Sequence, residues 1–421
     1  MSSPATSPIR LRAVTREIDA VDDLLEFADP GDPTVWSRRG DTLVGFGSRY
    51  AYGGDAAAAE VAQAWREIAA VAEIDDPIGL PGTGLIAFGA LPFDVRSTHP
   101  AHLTVPSTVI GRRDGRCWVT RIGPIGAPES GPIRDLPRAT PFGPHWSATV
   151  GPGALTPEGY QDAVRAGLAA IAEGTVSKVV LARDLVGEIP PGSDLRRLVR
   201  ALAAAYPDTW TYAVDGLIGA SPETLVTVSG GTVTARVLAG TSARGADADA
   251  DAAASLALAT SPKDLDEHQY AVQSVLSALR PHTSALVSGE QPFTLKLPNV
   301  WHLATDVEGA LADGASSLDL VGALHPTAAV AGTPTADAVE LIHALEPFDR
   351  GRYAGPVGWI DAAGNGEWAI ALRCAQFDIG AVGDRIPFAA HAGAGIVTGS
   401  DPESEMLETR VKFRPIVDAL A

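Results

Sequence analysis

Two tight turns constrain this chain more than any other feature. Gly230-Gly231 separates strand-forming runs at 225–228 and 233–238, and a turn containing Asn365-Gly366 separates runs at 355–360 and 367–377. Connections this short join antiparallel strands, because a parallel pair needs a crossover of a dozen or more residues. Further strand-like runs fall at 42–46, 85–87, 103–110, 117–122, 176–181, 209–214, 293–297 and 300–307. Helical periodicity appears between these groups, near 56–70, 156–172, 194–205, 262–279, 335–345 and 402–420. Thr156-Pro157 reads as a helix start, with the threonine as cap and the proline in the first turn. Strands in hairpins with helices inserted between the groups predict an α+β fold with antiparallel β-sheets packed with helices, not a doubly wound parallel sheet.

The 421 residues suffice for one large domain or for two or three average ones. Residues 1 to about 10 read as a loose tail, and the Pro/Gly-rich stretch 124–152 as a long surface connection. The Ala/Asp-rich stretch 245–254 reads as an exposed loop or a helix start. Lys and Arg number 32 against 51 Asp and Glu, a net charge of −19. That disfavours nucleic-acid and anionic-membrane partners, which call for clustered positive charge. It does not forbid an anionic small substrate, since the field inside a pocket can oppose the global sign. Cys117 and Cys374 stand far apart with no Cys/His ligand spacing, so zinc is not expected. So few cysteines, no apolar leader and no run of membrane-span length predict a cytoplasmic protein.

Several segments could carry chemistry. Glu405, Glu408 and Lys412 are spaced by three and four residues, which places them on one helix face. Such a face can offer carboxylates to a divalent cation and an ammonium to an anion. Asp264 and Glu267 form a second acidic pair of similar spacing. The glycine-rich run 391–395, with Gly393 at its centre, could let backbone approach a ligand closely. Lys178 lies within a strand-like run, pointing either out of the sheet or into a polar cavity where burial would make it a base. Glu223 follows Ser221-Pro222 in a tight loop; it is either a helix or turn opener or a rigidly held acid. Gly240-Thr241 ends a strand in a small-residue turn whose N–H groups and hydroxyl could hold a carboxylate. His302 is either a satisfied strand histidine or a hydrogen-bond partner for a substrate hydroxyl. Arg373, placed by its apolar neighbours on the 367–377 strand, needs an anion, either an internal carboxylate or a ligand.

Taken together, the segments KVVLAR, GASPET, LAGTSARG, KDLDEHQ, VWHLAT, LHPTAAVAG, LEPFDRGRYAGPVGW, ALRCA and AGAGIVTGSDPESEMLETRVK resemble the chorismate-utilising enzyme family, in family order from about 176 to 412. The resemblance implies a single chorismate-binding domain over 1–421, of the anthranilate synthase component I type, with 1–150 as its variable part and 151–421 as its catalytic core. It implies Mg²⁺, held directly by Glu267 and Glu408 and supported by Asp264 and Glu405. Lys412 and the Gly240-Thr241 turn would lie near the ring carboxylate of chorismate, and Arg373 with the backbone at Gly393 would hold the enolpyruvyl carboxylate. His302, Ala329, Val330 and Phe348 would shape the pocket.

Lys178 stands where amine-transferring members usually carry Gln, which fits water attack at ring C2, with Glu223 releasing the C4 hydroxyl. Ala239 occupies the slot of the lysine nucleophile of aminodeoxychorismate synthases, and no glutamine amidotransferase partner is expected. Ala329 stands where members that eliminate pyruvate often have Thr. The resemblance therefore implies reversible conversion of chorismate to isochorismate, with salicylate formation as the alternative. The absence of an obvious partner-binding segment leans towards a monomer.

Overall fold

The computed structural model describes residues 10–54, 57–127, 131–296 and 300–421. The expected N-terminal tail lies, apart from Arg10, outside the described residues. The strands hydrogen-bond into one connected network. Leu11–Ile18 runs parallel to Glu73–Asp75, and every other described pairing is antiparallel. Both turns read from the sequence join hairpins: Thr224–Ser229 pairs with Thr232–Ala243, and Pro356–Asp361 with Gly366–Ile370. The α+β expectation holds.

Sequence position does not divide the structure. The N-terminal strand Ile86–Ala90 pairs with Pro356–Asp361, and Thr34–Arg38 pairs with Trp210–Val214. On the second pair adjacent residues enter opposite cores, because strand side chains alternate faces. Val35 joins the core built around Leu195, Leu198 and Phe413, whereas Trp36 joins the larger one that contains Trp65, Trp118, Trp359 and Trp368. Burial on both faces is what fixes strand register here, since a one-residue slip would exchange the two cores.

Helices cover these faces, and their ends follow the local signals. Pro157–Ala172 starts with Thr156 accepting from the Gly159 N–H, Pro262–Leu279 with Ser261 accepting from Asp264, and Pro402–Leu420 with Asp401 accepting from Ser404. Each has proline in its first turn, where the missing N–H costs nothing. Among the described residues, no helix is long and apolar enough to cross a membrane.

Several features differ from the sequence reading, the missed strands Leu11–Ile18, Thr34–Arg38 and Thr283–Ser288 among them. The run 367–377 is broken: one strand ends at Ile370 and the next starts at Cys374. Arg373 lies in the break with φ +52, so it is not a strand residue. The glycine-rich run around Gly393 is itself regular, within the strand Ile386–Val397 that pairs along its whole length with Lys178–Ile189. Helix Ser317–Leu324 and strand Leu217–Ser221 escaped the pattern, both being buried on nearly all sides and therefore without amphipathic contrast. The stretch 245–254 opens the helix Ala248–Thr260, in line with the helix-start reading, but it is not wholly exposed, since Asp251 is buried against Arg244 and the Trp301 N–H.

Candidate active site

The pairing of Lys178–Ile189 with Ile386–Val397 builds the floor of one polar cleft. Lys178 and Val180 line it from the first strand, and Gly393, Gly395 and Val397 from the second. A Cβ on Gly395 would lie 3.0 Å from Lys178 Cε, so the glycine leaves room for the lysine side chain to lie across the strand. Helix Pro262–Leu279 brings Lys263, Asp264 and Glu267 to the cleft, and helix Pro402–Leu420 brings Glu405, Glu408 and Lys412. Both pairs of acids are spaced by three residues and share their helix face, as the sequence implied.

Two ion pairs span this constellation. Lys178 Nζ donates to Glu267 Oε1 at 2.6 Å, and Lys412 Nζ lies 2.6 Å from Glu408 Oε1. Lys412 also donates to the Gly393 carbonyl at 2.8 Å, which ties the C-terminal helix to the cleft floor. Glu405 is pushed above the usual carboxylate range, first by burial and also by the neighbouring charge of Glu408, which a Ser400 hydrogen bond only partly offsets.

Opposite these helices, the loop at Glu223 is rigid. Ser221 Oγ donates to the Ile370 carbonyl at 2.5 Å and accepts from the Glu223 N–H at 3.2 Å, while the Ile370 N–H donates to the Glu223 carbonyl. Burial pushes the Glu223 carboxyl up to about 7, against the opposing pull of Lys178, Arg373 and Lys412. Near neutral pH it therefore holds a proton that it can give away. Arg373, in its left-handed backbone conformation, lines the same cleft. Among the described residues its guanidinium makes no hydrogen bond or ion pair. Burial lowers its pKa, with Tyr353, Glu408 and Glu223 pulling the other way. A guanidinium without an internal anion at the wall of a cleft is a ready carboxylate site.

A bulge shapes the remaining wall. Pairing of Thr232–Ala243 with Val300–Leu311 slips between Ala239 and Thr241, and Gly240 takes φ +79. The slip sets Thr241 opposite His302, whose Nδ1 lies 2.9 Å from Thr241 Oγ1 and 3.3 Å from the Gly240 carbonyl. A carbonyl partner requires Nδ1–H, which leaves Nε2 as an acceptor. Burial, reinforced by Arg373 and Lys412, pushes His302 down to about 3, so the ring is neutral.

Lys178, Glu223, Gly240, Thr241, His302, Ala329, Val330, Arg373, Gly393, Lys412, Asp264, Glu267, Glu405 and Glu408 thus all line one cleft. Phe348 does not, and this corrects the expectation. It follows helix Thr335–Leu345 and packs on His391, ring centroids 5.1 Å apart, in a separate groove with Asp184 and Asp349. His391 pairs with Asp184, four positions along the strand from the cleft-lining Val180. Tyr353 and Ala354, from the same FDRGRYAG segment, line the cleft, as does Lys263, and Arg350 lies between the two cavities, lining both the cleft and that groove. Sequence reasoning singles out none of these four. Lys263 directly precedes Asp264, so the helical spacing that marks the acidic pair could have marked it too.

Two acidic helix faces, three lysines and an arginine without an internal anion thus meet in one cleft. Residues 138–421 match the family model "Chorismate binding enzyme". The chain is 41% identical to isochorismate synthase DhbC of Bacillus subtilis over 276 residues, 63% of this chain and 68% of that protein. It is 40% identical to the MenF protein of Mycobacterium tuberculosis (strain H37Rv) over 351 residues, 80% of this chain and 87% of that one. Anthranilate synthase component I of Streptococcus pneumoniae shares the fold, with a TM-score of 0.68 over 99% of this chain and 94% of that one, at 20% identity. The chain belongs to the chorismate-binding enzymes.

Proposed function

We propose that this chain is an isochorismate synthase, interconverting chorismate and isochorismate. The observation that carries the reading is a lysine and a proton-bearing carboxyl facing one cleft: Lys178, and Glu223 with its pKa raised to about 7. Lys178 takes a proton from a water whose oxygen bonds to ring C2. The two conjugated ring double bonds shift to C1=C6 and C4=C5, the C4–O bond breaks, and Glu223 gives its proton to the departing hydroxyl, which leaves as water. The exchange needs no redox partner and is reversible, because the same pair can act in the opposite sense. His302, neutral and with Nε2 as acceptor, is suited to receive a substrate hydroxyl. Arg373 and the Gly393 backbone take the enolpyruvyl carboxylate.

The donor set suits Mg²⁺. Asp264, Glu267, Glu405 and Glu408 are hard oxygen donors lining one cleft. Among the described residues no three His, Cys, Asp or Glu side chains converge as a preformed cage. Mg²⁺ takes one or two protein carboxylates and keeps several waters. Glu267 and Glu408 would hold it directly, with Asp264 and Glu405 behind. It would supply positive charge for the ring carboxylate, beside Lys412 and the Gly240-Thr241 turn.

The test is chromatography of products after incubation with chorismate near neutral pH, with Mg²⁺ and with a chelator. The expected result is a Mg²⁺-dependent equilibrium mixture of chorismate and isochorismate. Stoichiometric salicylate and pyruvate would replace the reading with a salicylate synthase, and unchanged chorismate would end it.

A further inference from the structure

Five basic side chains reach the cleft, and four are engaged with its interior. Lys178 and Lys412 pair with Glu267 and Glu408. Arg350 is held by Glu346 and by the Val330 and Val180 carbonyls. Arg373 is walled in by the Glu223 loop and Tyr353. Lys263 is different. It sits in the first turn of helix Pro262–Leu279, exposed to solvent, yet it lines the cleft. Among the described residues it makes no hydrogen bond or ion pair.

Its surroundings are acidic. Asp264 follows it, and Glu405, on the first turn of the facing helix Pro402–Leu420, feels its charge. The whole protein carries −19, so a dianion approaching this mouth meets a repulsive field from most directions. A mobile, solvated ammonium at the rim is the feature that can reverse that field locally, and a long four-carbon stem lets it follow the ligand inward.

We propose that Lys263 is the capture residue of the cleft, drawing the substrate's carboxylates past the acidic helix ends and handing them to the cations within. It takes no part in bond making. Its contribution is to association, so it acts on kcat/KM and not on kcat. The proposal rests on the reading of the cleft as a chorismate site.

The experiment compares wild type with Lys263→Gln, Lys263→Glu and Lys263→Arg, assayed with chorismate and saturating Mg²⁺ from about 20 to 500 mM KCl. Lys296→Gln, on an exposed strand lysine elsewhere, controls for the change in net charge. At low salt, Lys263→Gln is expected to lower kcat/KM roughly fivefold and Lys263→Glu by more, with kcat nearly unchanged. Lys263→Arg restores the wild-type value, Lys296→Gln matches wild type, and the differences shrink as salt screens the charge. Equal kcat/KM in wild type and Lys263→Glu at low salt would overturn the proposal, as would a loss confined to kcat or one insensitive to salt. A wild-type protein that leaves chorismate unchanged would instead bring down the functional reading on which the proposal rests.

Discussion

Two arginines in this molecule, one wholly buried and one half-buried at a cleft wall, are treated in opposite ways. Arg196, wholly buried at the start of helix Arg196–Ala205, is saturated. Its Nε and Nη2 donate to Asp194 at 2.9 and 2.8 Å, its Nη groups reach the Thr140 and Pro141 carbonyls at 3.0 Å, and it lies over Phe142. Arg373 has a cleft wall and no such partner among the described residues. The first arrangement pins the 140–146 segment to the helix start, with the Gly143 N–H also donating to Asp194. The second leaves donors to be satisfied by a ligand. A buried charge that is fully paired serves the fold, and a charge held without its anion is set aside for binding. The carboxylates follow the same division. Burial opposes ionisation at both, yet hydrogen bonds from Arg196 and Gly143 keep Asp194 below the usual range, whereas nearby cations fail to do so for Glu223.

Substitutions can break this contrast, and the largest effects belong to the cleft. Lys178→Met and Glu223→Gln should each lower turnover by about 10³- to 10⁴-fold, the scale of a lost general base or acid. The thermal transition of Glu223→Gln should stay close to wild type, while Lys178→Met, which also leaves Glu267 without its partner, should lower it and is assayed on the protein that stays folded; turnover surviving in either variant removes that residue from the chemistry. Next comes Arg196→Met, which strands Asp194 and should cost about 3–5 kcal/mol in chemical denaturation. The protein that remains folded should keep its KM, and a fall in affinity without a fall in stability would erase the distinction between the two arginines. Arg373→Gln should do the converse, raising KM about tenfold or more while leaving stability unchanged or improved, since it removes a half-buried charge without an internal partner.

The smallest effect is on pH. The folded pKa of Glu223 is raised from its usual 4.5 to about 7, so the stability gained from its bound proton is complete below about 4.5 and gone above about 7. Relative to Glu223→Gln, wild type should lose stability as pH rises across that window. Asp194, with its pKa depressed, acts in the opposite sense: its contribution is present above about 4 and is lost as pH falls below that. Denaturation curves at pH 3, 4.5, 6 and 8 separate the two, and parallel curves for wild type and Glu223→Gln between pH 4.5 and 8 would contradict the raised pKa.

Local signals carry far in this chain. Helix Pro262–Leu279 starts and ends where its cap, proline and periodicity place it, and so do helices Thr335–Leu345 and Pro402–Leu420. Because helix geometry is local, residue spacing alone makes legible the shared face of Asp264 with Glu267, and of Glu405 with Glu408 and Lys412. Arg373 shows where such reading stops. Its apolar neighbours suggest a continuous strand, and only the long-range pairings of Leu217–Ser221 and Thr224–Ser229 with the strands on either side break the run at that point. Phe348 shows the same limit in another form. Its segment is recognisable, but whether Phe348 or Arg350 and Tyr353 meets the cleft depends on how the turn after helix Thr335–Leu345 seats on the sheet.

By itself, then, the sequence determined the antiparallel class of the fold, the helix faces that carry the acids and the residue types able to work as base, acid and anion holders. Tertiary structure alone decided which of them share solvent, which cations are already spent on partners and which carboxyl is buried deeply enough to keep its proton. The physical reason is range: backbone periodicity and capping act over a few residues, whereas burial and charge depend on groups brought together from distant parts of the chain.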